Sequence, residues 1–176
     1  PRIGDNDLRQ VDVERTLDSL RRRGLLSFEA LHRRPPSRLA PLVRSSGTFR
    51  VKARRLRAFL DFLGAEYGGR VEGMRAESPA ALRRKLLAVP GIGPETADSI
   101  ALYAAGKPLF VVDAYTRRVF SRLGLLRGDL SYAEVQQFFE ERLPRDADLY
   151  NDYHAQLVRL GQQACRSRPR CAECPL

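Results

Sequence analysis

An all-α fold is predicted, from three observations. Apolar residues recur at helical spacing along most of the chain, strand-like alternation is nearly absent, and a Pro-Gly-Ile-Gly turn (Pro90 to Gly93) separates two of the helical stretches. At 176 residues the chain can bury a real core, either as one domain or as two small helical lobes.

The elements follow in order. Arg33-Arg34-Pro35-Pro36 and Gly68-Gly69 are the clearest breaks, and between them lies a basic helix. Arg50, Lys52, Arg54, Arg55 and Arg57 crowd it, while its opposite face, Leu56, Phe59, Leu60, Leu63 and Tyr67, reads as core. A second helix opens at Ser78-Pro79 and runs through Leu82, Leu86 and Val89. Gly91-Ile92-Gly93 is then the hairpin into a third helix, whose stripe is Ala97, Ile100, Ala101 and Ala104. Pro94 falls just inside its start, where a missing N–H costs nothing. Glycines at a helix N-terminus, from Gly91 through Thr96, add no bulk beside free N–H groups and so suit one backbone phosphate of a nucleic acid. The same residues also fit a tight helix-helix turn that uses glycine for positive φ and binds nothing.

The apolar run Leu109-Phe110-Val111-Val112 delivers Asp113 to the next helix, with stripe Thr116, Val119, Phe120 and Leu123. Asp113 reads as the N-cap of that helix. Capping would also keep its carboxylate ionised and held in one direction, so the role is compatible with chemistry. Ser131 and Glu134 form a capping box before Val135, Phe138, Phe139 and Leu143. Leu149, Tyr153, Leu157 and Leu160 carry a last helical stripe to Cys165. His154 lies on that helix at no ligand spacing, and reads as a solvent-facing or core residue.

The net charge is +10, and +8 of it falls in residues 1–70, which favours a polyanionic partner, although a solvated, solubilising face is the plainer reading of the basic helix alone. No apolar stretch reaches membrane-spanning length and no signal-like start is present, which points to a cytosolic protein. Cys165, Cys171 and Cys174 cluster near the end of the chain. In such a protein that spacing points to iron–sulfur or zinc ligation rather than a disulfide, with free surface thiols as the simpler alternative.

PGIGPETA followed by VVDAYTRR resembles the helix-hairpin-helix DNA glycosylases of the endonuclease III superfamily. GTFRVKARRLRAFLDFL (Gly47 to Leu63) is similar to that family's basic helix, and YHAQLVRLGQQAC (Tyr153 to Cys165) to the approach to its iron–sulfur loop; the likeness is weakest over Pro1 to Gln10. The resemblance implies a two-lobed helical bundle, divided here as 1–107 with the hairpin and 108–176 with the cysteine loop. It also implies a damaged double-stranded DNA substrate, bound by a monomeric, nucleoid-associated enzyme. Gly91, Ile92, Gly93 and Thr96 would grip the strand, Arg50, Lys52 and Arg54 would neutralise phosphates, and Asp113 would do the chemistry. The cofactor implied is a 4Fe-4S cluster on Cys165, Cys171 and Cys174, with zinc as the other metal. The family's first two cysteines stand one residue further apart, however, and a fourth follows, which suggests that the chain stops short of its last ligand; family members also have a preceding helix that packs on the cluster domain, which suggests that Pro1 begins after it.

Glu95 is the departure with most consequence. Bifunctional members carry a lysine there that forms a Schiff base with the abasic sugar, and a carboxylate cannot make that bond. Lys52, Lys85 and Lys107, all the lysines of the chain, match no motif position, and Pro1 offers only an unlikely terminal amine. The resemblance therefore implies a monofunctional glycosylase, in which Asp113 stabilises an oxocarbenium-like sugar or activates water. With no assigned general acid, although Glu95 lies close along the chain, alkylated purines, which leave already charged, are the favoured substrates, as for the 3-methyladenine glycosylases of the superfamily. Two alternatives stand: an endonuclease III-like glycosylase and lyase acting on oxidised pyrimidines, and a non-catalytic DNA-binding paralogue.

Overall fold

A computed structural model describes residues 6–46 and 48–176, with side chains given from Glu14 onward except at 44–46. Gly47, which opens the basic segment, and the Pro1 amine lie outside the described residues. Among those described, every regular element is helical. Nine α-helices follow in order: α1 (Asn6–Arg22), α2 (Phe28–His32), α3 (Pro36–Leu39), α4 (Phe49–Tyr67), α5 (Pro79–Leu87), α6 (Pro94–Ala105), α7 (Ala114–Arg122), α8 (Tyr132–Glu140) and α9 (Ala147–Gln163). Short 3-10 turns at Ala40–Ser46, Val71–Ala76 and Cys171–Glu173 complete the set, and no helix is long and apolar enough to cross a membrane.

The chain forms two compact units. One comprises residues 1–74 and 88–92, the other 75–87 and 93–176. These breaks do not coincide with the division at 107/108 suggested by the sequence. The reason is packing: Leu102 of α6, the run Phe110 to Val112, and Val119 and Phe120 of α7 share one core, so α6 cannot be parted from α7.

In the first unit, α4 forms because apolar positions recur every three to four residues, and it buries Ala53, Leu60 and Leu63. Leu39 and Ala40 close this core, with Phe28, Leu31 and Leu56 at its margin. Gly68 ends the helix in the left-handed conformation at φ 59°, as a glycine stop should. The basic residues of α4 do not act as one surface. Arg57 donates to Asp61 at 3.0 Å and to the carbonyls of His32 and Arg34, so it stitches α2 and the following turn to α4.

The second unit is built around stacked aromatic rings. Phe110 lies parallel to Phe139 at 4.1 Å, and Phe120 and Tyr150 meet this pair edge-on. The buried run 109–112 has no ladder to satisfy its backbone, and α8 supplies the partners instead. Glu140 accepts from the Phe110 N–H, the Tyr132 hydroxyl accepts from the Val112 N–H, and Gln136 donates to the Phe110 carbonyl. Gln136 also donates to Asp98, which is fully buried and takes two bonds from Arg83. That carboxylate rotates the buried face of α6 away from the expected stripe. Ala97, Asp98, Ala101, Leu102 and Ala105 are buried, while Ile100 and Ala104 are only half-buried. The capping box of α8 is present in both its bonds.

Candidate active site

Asp113 caps α7, as its place before a helical stripe predicts. Its Oδ1 accepts from the Thr116 N–H at 2.7 Å and from the Thr116 hydroxyl at 2.9 Å. Its Oδ2 faces Nε2 of His154, 3.5 Å away, and both side chains are only 12% exposed. Nε2 makes no hydrogen bond among the described residues, so the two groups face one another at close range without a formed bond. At the other end of the ring, Nδ1 is hydrogen-bonded to the Tyr103 hydroxyl. Burial alone would push the Asp113 carboxyl up; His154 and the two Thr116 donors reverse this and hold it below the usual carboxylate range.

His154 corrects the sequence reading. It is neither solvent-facing nor a plain core residue, because Tyr150, His154, Leu157 and Gly161 recur at i, i+4, i+7 and i+11 and form the face of α9 that meets α7 and α6. That second stripe was present in the sequence. The stronger apolar stripe through Leu149, Tyr153 and Leu160 hid it.

Glu95 sits in the first turn of α6, close enough to Asp113 for their charges to interact. Burial first and the Asp113 charge second push its carboxyl up, with His154 opposing. Two carboxyls are therefore driven in opposite directions within one unit. Tyr103 is raised as well, by burial and then by Asp113, so its hydroxyl keeps its proton. None of the lysines stands in Glu95's place: Lys85 is bound to Glu77 at 2.6 Å and Lys107 to the Arg75 carbonyl at 2.7 Å.

The hairpin residues separate into different roles. Gly91 adopts φ +86°, and a Cβ there would lie 2.6 Å from Cγ of Arg55, so the fold itself requires this glycine. Ile92 is a correction, since its side chain is buried and its N–H is taken by the Val89 carbonyl at 3.0 Å; neither is offered to a ligand. Gly93, at φ −95° and ψ 177°, has a backbone that any residue could adopt, and nothing lies within 4 Å of a Cβ built on it. It caps α6 without a side chain, leaving the first-turn N–H groups toward Thr96 with no side-chain partner, unlike Asp113, Ser131 and Asp146, which cap their own helices. In the first unit Arg50 and Arg54 are exposed and Lys52 is half-buried.

Cys165, Cys171 and Cys174 are free thiols, and Arg122 donates to the Cys165 sulfur at 3.3 Å. Among the described residues no three His, Cys, Asp or Glu converge as a metal site. The described residues thus offer three thiols, one fewer than the four that hold a 4Fe-4S cluster.

The family model described as HhH-GPD superfamily base excision DNA repair protein matches residues 8–145. A Methanocaldococcus jannaschii protein named as a candidate DNA repair glycosylase is 38% identical over 94% of this chain and 76% of its own length. Endonuclease III of Bacillus subtilis is 32% identical over 81% of this chain and 61% of the relative, so the chain spans about three fifths of that protein. A non-covalent endonuclease III–DNA complex superposes with a TM-score of 0.72 at 28% identity, covering 89% of this chain and 71% of the other. The H. pylori 3-methyladenine DNA glycosylase bound to 1,N6-ethenoadenine superposes with a TM-score of 0.75 at 25% identity, covering 92% and 81%. Matched over most of its length by one family model and sharing the fold of these glycosylases, the chain belongs to the HhH-GPD superfamily of base excision DNA repair proteins.

Proposed function

We propose that the chain is a monofunctional DNA N-glycosylase that hydrolyses the glycosidic bond of a damaged base flipped out of double-stranded DNA. The observation that carries this reading is Asp113: a nearly buried carboxylate, held ionised by Thr116 and His154, with Glu95 rather than an amine at the neighbouring lyase position. A carboxylate held below its usual range is a weak base but a strong fixed negative charge. It therefore suits stabilisation of an oxocarbenium-like sugar better than removal of a proton from water. Gly93 supports the DNA-binding part, since the fold alone does not call for a glycine there and the uncapped start of α6 suits a phosphate.

Alkylated purines are the substrates this reading favours, because a base that leaves already charged needs no general acid. The likeness to the H. pylori 3-methyladenine DNA glycosylase supports it. A second reading has its own observation: the raised carboxyl of Glu95 beside the lowered one of Asp113 is the arrangement of an acid paired with a charge stabiliser, which would serve a neutral leaving base.

The test is a panel of single-lesion duplexes scored separately for base release and strand cleavage. Asp113→Asn is expected to keep the fold and most DNA affinity while base release falls by about 10²-fold or more. Excision by this variant within a few-fold of the parent would remove Asp113 from the chemistry. Borohydride with abasic DNA is expected to trap little covalent adduct. Strong trapping that disappears when Lys52, Lys85 or Lys107 is replaced would establish the endonuclease III-like alternative instead.

A further inference from the structure

The two oxygens of Asp113 are not equivalent. Oδ1 takes both Thr116 bonds and is committed to capping α7, so Oδ2 is the oxygen left to meet a reaction partner. Oδ2 is also the oxygen that His154 faces, at 3.5 Å. The imidazole is not free to turn, because Nδ1 is hydrogen-bonded to the Tyr103 hydroxyl one helix away and both ring and carboxylate are nearly buried.

The anchoring and the Asp113 charge together select where the imidazole carries its hydrogen. With a neutral ring the Tyr103 contact admits either tautomer, and the Asp113 carboxylate 3.5 Å from Nε2 favours the one with the hydrogen on Nε2, in which the Tyr103 hydroxyl donates to Nδ1. With a protonated ring, both nitrogens carry one, and Nδ1 donates to the Tyr103 oxygen. Either way an N–H faces Oδ2, at 3.5 Å and short of a formed hydrogen bond. The groups acting on the pair come from three helices: Glu95 and Tyr103 on α6, Thr116 on α7 and His154 on α9. Of these, Glu95 repels Asp113 and only His154 can bring positive charge.

We infer that His154 is a positioning residue for Asp113: anchored through Nδ1 by Tyr103, it presents Nε2–H to Oδ2 and keeps that oxygen charged and fixed in direction against the neighbouring Glu95 carboxylate. The inference rests on the reading of Asp113 as the group that meets the sugar. Tyr103 acts one step further out, by holding the ring. Removing it frees the imidazole to rotate and lose its aim without removing the imidazole itself.

The experiment titrates the Asp113 carboxyl directly, by carboxyl-carbon NMR on the whole chain, with Asp113→Asn identifying the resonance. In His154→Leu the midpoint is expected to rise by about one pH unit, a tenfold weaker hold on the charge. In His154→Gln, which retains an N–H at the reach of Nε2, most of the parent value is expected to return. Tyr103→Phe is expected to fall between the two. Single-turnover base release should follow the same order at constant DNA affinity, with the acid limb of its pH profile moving upward in His154→Leu. An unchanged Asp113 midpoint in folded His154→Leu overturns the inference, as does a Gln variant no better than Leu. The titration needs no substrate, so a chain without glycosylase activity would defeat the proposed function while leaving the His154 result readable.

Discussion

At the scale of single residues, the site shows where sequence is legible and where it is not. Asp113 could be found because its signal is local: an apolar run, one carboxylate and a helical stripe follow one another directly. The face of α9 that carries His154 was legible too, but its role was not, because that depends on Asp113, far back in the chain, and on Tyr103, further back still, and only folding brings the three together. Glu95 was legible as a substitution, but its environment was not. A carboxyl pushed up by burial and a neighbouring charge is destabilising wherever it is ionised. The penalty is absent below its unfolded value, grows as pH rises through it, and is complete above the raised folded value. Glu95→Gln is therefore expected to raise the melting temperature near neutral pH, by at most about 2 °C given its partial exposure, and to have no effect in strong acid. Calorimetry across pH checks this. A benefit that persists in acid would show that the carboxylate charge is not the source.

At the scale of elements, caps were legible because they depend on neighbours three or four residues away, whereas the stripes were legible only in part: Leu123 is exposed, and α9 buries Tyr150, Leu157 and Gly161 while Leu149 and Leu160 are half-buried. The Ser131 and Glu134 box and the Asp113 cap both formed. The buried face of α6 departs from the stripe Ala97, Ile100, Ala101 and Ala104 because it includes Asp98, which Arg83 and Gln136 satisfy in a fully buried position. The crossing of α7 and α9 has a sharper requirement. A Cβ on Gly161 would lie 2.2 Å from Cδ1 of Tyr115, whose ring also carries the Arg118 guanidinium at 5.0 Å, and Arg118 in turn donates to the Gly161 carbonyl at 2.8 Å. Gly161→Ala is expected to lower stability by about 1–3 kcal/mol through overpacking, although alanine is the better helix former. Denaturant unfolding measures it, and a stabilised variant would mean that α9 shifts freely on α7.

At the scale of the whole molecule, the charge asymmetry was legible from composition, but which arginines are available to a partner was not. Arg57 is consumed by Asp61 and by the carbonyls of His32 and Arg34, whereas Arg50 and Arg54 are exposed. If the first unit binds DNA through its surface charge, Arg50→Ala and Arg54→Ala should each reduce the slope of log affinity against log salt by about 1, for damaged and undamaged duplexes alike. Arg57→Ala should leave that slope unchanged and lower thermal stability instead. Equal slopes for all three would place the phosphate contacts elsewhere.

The division into units carries a consequence for how the protein is made. Synthesis releases the chain from its N-terminus, and when residue 74 has emerged the first unit still lacks residues 88–92. Those residues include Val89 and Ile92, both buried, and Gly91, whose backbone passes beneath Arg55. The ribosome must therefore deliver α5, which belongs to the second unit, before the first can close. Nascent chains arrested before residue 88 should remain open to protease across α4, and those arrested after the hairpin has cleared the exit tunnel should resist it. In this timetable the Pro-Gly-Ile-Gly turn is a checkpoint of biogenesis, required before any DNA is met.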